Sequence, residues 1–247
     1  MGALALKELR SLLLTPLGWT VLSAVTLVQG VILLRLAQHY QAHPVVDGPQ
    51  AGVTYNVIAL YFGAATYVAM LAVPLLTMGQ FAGERQRGTW PLLAAAPLGA
   101  ARLVAGKFVG MALFLTVLLS VLTVLPLSLA GATHLDGGML LAAWLGALLT
   151  LLTYAAIGLY ASALSPTPAL AAVGTMLALL LFWLLEMLAT TGVEPLDQAL
   201  AGLSLFGHLE PLLRGQVETA DLAFFVVVTG AALMLAALRV ARLRELE

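Results

Sequence analysis

Within residues 81 to 97, FAGERQRGTWPLLAAAP, three charged side chains fall within four positions: Glu84, Arg85 and Arg87. Such a cluster can make strong, charge-assisted hydrogen bonds to a partner surface. In a bilayer each of those charges would cost about 2.5–3.5 kcal/mol at the centre of a helix. The apolar neighbours cannot offset that cost, so the segment is expected at the aqueous surface. Trp90, Leu92 and Leu93 are too apolar for a loose linker. One short helix or two over Glu84 to about Ala95 is predicted, closed by Pro97 and Gly99. A stiff amphipathic helix between two spans can receive force from a soluble partner; an ordinary loop with an interfacial tryptophan is the plainer alternative.

Other reactive groups are sparse. Glu186 sits about 26 Å along its helix at 1.5 Å per residue, near the far membrane surface. Arg35 is at the matching depth of the first span. Either both snorkel to water, or they line a cavity and pair. His39 and His43 lie one helical turn apart, but a metal site needs three or four converging ligands, so no metal is expected. The chain has no cysteine, which removes disulfides, thiolate metal sites and a cysteine nucleophile. No G-x-x-x-x-G-K-[ST] phosphate loop occurs. No His-Glu metal motif or nucleophile–base pair falls within the apolar runs, and no lysine–aspartate pair suggests a proton relay.

The elements that must position these groups are membrane helices. Of 247 residues 62% are hydrophobic and 9% charged, against about 25% charged in a soluble domain. The apolar runs are unbroken and too long for barrel strands. Six spans are predicted in one all-α membrane domain covering 1–247: about 17–36, 57–80, 104–130, 139–163, 169–188 and 222–240. Nine of the eleven Lys and Arg residues cluster on one side. They are Lys7 and Arg10, then Arg85, Arg87, Arg102 and Lys107, then Arg239, Arg242 and Arg244. The positive-inside rule therefore places both termini in the cytoplasm. A net charge of −1 gives no nucleic-acid signal.

Residues 4–14 form an amphipathic segment with Lys7, Glu8 and Arg10 on one face, broken by Thr15-Pro16. It is expected to lie in the membrane interface, as an anchor or as a partner contact. Tyr55, Thr66 and Thr77 share one face of span two. Thr116, Ser120 and Thr123 share a face of span three. Gly146, Thr150, Tyr154, Gly158 and Ser162 recur every four residues in span four. Such rows pack helices closely or offer a weakly polar pathway. Pro74 and Pro126 are expected to kink spans two and three. The stretch from Thr191 to Ala220 is long for a loop and is expected to hold short outer helices.

Glu84, Arg85, Gly88 and Thr89, followed by Leu92, Leu93 and Pro97, resemble the E-R-x-x-G-T segment of ABC-2 type permeases, the membrane subunits of ABC transporters. Lys7, Glu8 and Pro16 resemble that family's K-E-x-x-x-x-x-x-x-P opening, and residues 205–225 its last external stretch. The short gliding-motility and nitrous-oxide-reductase-maturation permeases are the nearest subgroup. The resemblance implies a cytosolic coupling helix at Glu84–Leu93, with Arg87 among its residues, that docks on a separate ABC ATPase. The N-terminal helix, with Lys7, Glu8 and Arg10, would touch the same subunit. ATP and Mg²⁺ would bind that ATPase, leaving no cofactor here. A second permease copy or paralogue, membrane lipids and an extracytoplasmic accessory protein are the other implied partners, in the inner membrane. The expected function is an exporter-type permease; the alternative is a mechanotransmitter that passes ATPase motion outward without a substrate.

Overall fold

The computed structural model describes residues 2–43, 52–94, 98–131, 135–188, 200 and 202–245; side chains at 3, 94, 130 and 186 lie outside that description. Among the described residues every element is helical. Helix α1 (Gly2–Leu14) turns sharply into α2 (Pro16–Ala42). A π-helical segment, Thr54–Ala59, runs into α3 (Leu60–Thr77). The short helices α4 (Ala82–Gln86) and α5 (Trp90–Ala94) follow, then α6 (Ala100–Leu127), α7 (Gly137–Leu164) and α8 (Pro168–Leu188). The order closes with α9 (Leu205–Leu213) and α10 (Thr219–Glu245). Six of these stretches are long and apolar enough to cross a bilayer. The fold is that of an all-α, six-span membrane protein.

Local chemistry sets the boundaries. Pro16 occupies the first turn of α2, where its missing N–H costs nothing. A Cβ at Gly18 would stand 1.8 Å from the Leu12 carbonyl oxygen, so only glycine permits the tight α1–α2 corner. Trp19 Nε1 donates to Leu13 O across that corner at 2.6 Å. Asp136 caps α7, its Oδ1 accepting from Gly138 N at 2.8 Å and Met139 N at 3.2 Å. Ser204 caps α9 through Gly207 N at 3.0 Å. Gly215, with φ of +82°, ends α9 in the left-handed region.

Helices α3 and α7 are the buried centre of the bundle. Helix α7 packs on α3, α6, α8, α9 and α10. The four-residue row along α7 is a packing seam. A Cβ at Gly146 would meet Leu212 of α9 at 2.8 Å, and one at Gly158 would meet Thr77 Oγ1 at 2.3 Å. Thr66 and Thr77 are fully buried and return their hydroxyls to Gly63 O and Val73 O of their own helix. Thr116, Ser120 and Thr123 likewise bond carbonyls one turn back. Gly158→Val is expected to separate α3 from α7, at about 1–3 kcal/mol for overpacking. Thr77→Gly should restore thermal stability in the double variant.

The N-terminal segment is one helix, and it lies along α6. The 81–97 segment forms two short helices rather than one, because Gly88 turns the chain between them with φ of +67°. Pro97 lies outside the described residues, as do positions 191–199 and 201 of the outer stretch.

Candidate functional site: a buried lysine joining three helices

Lys107 lies about two turns into α6. It follows Gly106 in the sequence GKFVG, where Gly106 and Gly110 make a groove on α6. A Cβ on Gly106 would meet Leu4 Cδ2 at 2.5 Å, and one on Gly110 would meet Glu8 Cβ at 2.6 Å and Ala5 O at 2.8 Å. Helix α1 therefore presses directly on the α6 backbone, the small-residue contact by which membrane helices approach closely. That approach carries Glu8 to the lysine. Lys107 Nζ lies 3.1 Å from Glu8 Oε1 and 2.7 Å from Glu84 Oε1. The lysine side chain is 1% exposed.

A buried ammonium must be paired to be tolerated. Here one cation holds two carboxylates from different elements, α1 and α4. The Phe81 ring adds a cation–π contact at 5.3 Å from its centroid. The trio ties α1, α4 and α6 together.

A second tie joins α4 to the end of α7. Arg85 Nη2 donates to Ser162 O at 3.1 Å, Ala163 O at 3.2 Å and Ser165 O. A guanidinium there meets the unsatisfied carbonyls and the negative end of the helix dipole. Ser162 Oγ sits at the break between α3 and α4. It accepts from Phe81 N (3.0 Å) and Ala82 N (3.1 Å) and donates to Met78 O (3.0 Å). One hydroxyl thus satisfies three backbone groups that the break releases.

A third tie reaches α5. Trp90 is 2% exposed and packs edge-on against Phe81, with ring centroids 6.4 Å apart. Leu103, Val104, Leu159, Ala236 and Val240 complete that apolar nest. Arg244, near the end of α10, donates to Leu93 O at 3.2 Å and to Leu98 O.

The exposed face carries the remaining positions. Arg87, Gly88 and Thr89 are exposed, and Leu92 is 77% exposed. Thr89 Oγ1 bonds back to Glu84 O at 3.1 Å, fixing the turn. On α1, Lys7 and Arg10 point outward while Glu8 is buried.

The structure brings Glu8 and Glu84 together and keeps Arg85 inside the protein on α7, apart from the exposed Arg87. Arg35 is exposed on α2. The Glu186 side chain lies outside the description, so its pairing with Arg35 does too. Among the described residues no group of three or more His, Asp or Glu side chains is placed to hold a metal ion. Sequence reasoning counted Lys107 only as a basic flank. The available signal was a lysine inside the predicted 104–130 span, which requires a counter-charge. Both carboxylates come from outside the spans, so a search for pairs within them could not find this one. His208 was also missed: its Nδ1 lies 2.7 Å from Asp221 Oδ1, tying α9 to the start of α10.

The model of a family described as ABC-2 family transporter protein matches residues 3–239. No individual curated protein matches the chain.

Proposed function

The chain belongs to the ABC-2 transporter family, as a membrane permease subunit of an ABC transporter, and on that premise we propose that α4 and α5 are its coupling element. They dock on a separate ATPase polypeptide, which binds ATP and Mg²⁺. The observation that carries this reading is the Lys107 bridge. It locks α4 to α1 and α6, so a push on the exposed Arg87–Thr89 turn and on Leu92 moves a transmembrane helix rather than a slack loop. Arg85 and Arg244 spread the same push to α7 and α10. Arg87 and Leu92 form the contact with the ATPase; Arg85 acts within the permease. Exposed Lys7 and Arg10 on α1 extend the cytosolic face.

The distribution of Lys and Arg supports cytoplasmic termini in an inner membrane. Two chains, identical or paralogous, pair around the pathway. Movement is outward: nothing in the sequence resembles an importer's dock for a binding protein. The finer kinship, to the short gliding-motility and nitrous-oxide-reductase-maturation permeases, rests on the Glu84–Pro97 and Lys7–Pro16 segments. Transport is preferred to pure force transmission because a ligand-sized groove of about 570 Å³ lies between α2, the start of α3 and α9.

The test is co-purification with the cognate ATPase. Arg87→Glu with Leu92→Glu is expected to lower complex recovery about tenfold, equivalent to ~1.4 kcal/mol. Helical content and membrane insertion should stay unchanged. Full recovery of the complex with this double variant would refute the docking role.

A further inference from the structure

The cavity lies at the end of the bundle opposite Lys107, between α2, the start of α3 and α9. It measures about 570 Å³, within the ~300–1,000 Å³ of small-molecule sites. Its wall is built around an irregularity. The π-helical turn Thr54–Ala59 contributes Tyr55, Asn56 and Ala59 to the lining, and π-turns inside helices are frequent at functional sites. Helix α9 forms the facing wall and is firmly seated: Leu205, Leu209 and Leu212 are buried, and Gly146 admits Leu212 closely.

The lining is graded. At the mouth stand Tyr55, Asn56 and the ion pair of Arg214 with Glu210. At the far end Tyr67 stacks on Phe206, with centroids 4.5 Å apart and planes 10° from parallel. Tyr55 lies in the π-turn and Tyr67 in α3, more than two helical turns further along the chain. The groove therefore runs from a charged end to an aromatic end along this segment. Leu60 and Tyr67 are 56% and 46% exposed, so its side along α3 opens toward the bilayer.

We propose that this groove binds an outer-leaflet aminophospholipid, with its phosphate at Arg214, its ammonium at Glu210 and one acyl chain laid along Leu60 to the Tyr67–Phe206 stack. The charge pattern selects the head group. A guanidinium and a carboxylate side by side complement a zwitterion carrying a primary amine, whereas a purely anionic head meets Glu210 unfavourably. The assignment to the outer leaflet rests on the permease topology proposed above.

The full chain in vesicles of mixed phosphatidylethanolamine and phosphatidylglycerol, with trace phospholipid carrying a photoreactive tail, provides the test. The ethanolamine probe is expected to label peptides containing Tyr67 or Phe206, and excess phosphatidylethanolamine should compete at least fivefold better than phosphatidylglycerol. Ala64→Trp fills the groove and should lower that labelling at least fivefold. Labelling at Val226 and Val227, exposed on α10, should not change. Arg214→Gln with Glu210→Gln should erase the head-group preference. Equal labelling of the groove and of α10, or no effect of Ala64→Trp, would mean surrounding lipid only. Crosslinking of Tyr67 to a second copy instead of lipid, or equal competition by the two head groups, would also overturn the assignment. A cysteine at position 210 that reacts only from the Arg87 side would sink the topology and the leaflet assignment together. Failure of ATPase recovery alone would strike the coupling reading and leave the labelling result standing.

Discussion

Lys107→Met is expected to destabilise the protein by about 3–5 kcal/mol, because it leaves Glu8 and Glu84 buried without their shared cation. Methionine preserves most of the stem's length and removes only the charge. Two consequences should appear together: a lower unfolding temperature in nanodiscs, and loss of any stimulation the permease gives its ATPase. The control is to neutralise the whole trio. Lys107→Met with Glu8→Gln and Glu84→Gln removes the uncompensated charges, so much of the stability should return. An unchanged unfolding temperature in the single variant would show that the bridge carries no structural weight.

The second large effect is steric. Gly110→Leu places a side chain where its first carbon already meets Glu8 Cβ at 2.6 Å and Ala5 O at 2.8 Å. The carbonyl belongs to the α1 backbone, which cannot yield without moving the whole helix. Helix α1 should lift from α6 and take Glu8 from Lys107. The chain contains no cysteine, so a reporter is simple to install. Ala5 is 6% exposed; Ala5→Cys should react slowly with a maleimide, and at least ten times faster once Gly110→Leu is added. Equal rates would mean that α1 does not depend on the glycine contact.

The six spans were legible because long apolar runs have few alternatives in a chain with so little charge. The exposed turn at Arg87–Thr89 was legible for the same reason: its charges have no place in lipid. The division of labour within that turn was not. Arg85 and Arg87 are the same residue type two positions apart, yet one caps α7 and the other faces water. That difference depends on where α7 ends in space, which local sequence does not encode. The Lys107 trio was hidden because its members are 23 and 99 positions apart. The GKFVG groove, however, is a short-range signal of close helix approach that can be read directly. Thr77 and Gly158 show the converse: each row of small residues was visible, but only the fold reveals which row faces which.

The π-turn at Thr54–Ala59 spends about one residue more than an α-helix needs for the same rotation. Deleting one residue there would let the turn relax to α geometry while the chain on either side keeps its phase. Leu60, Tyr67 and the remainder of α3 would stay in place, and deletion of Asn56 would remove one side chain from the lining. A single-codon deletion could thus trim one end of the groove without disturbing the other.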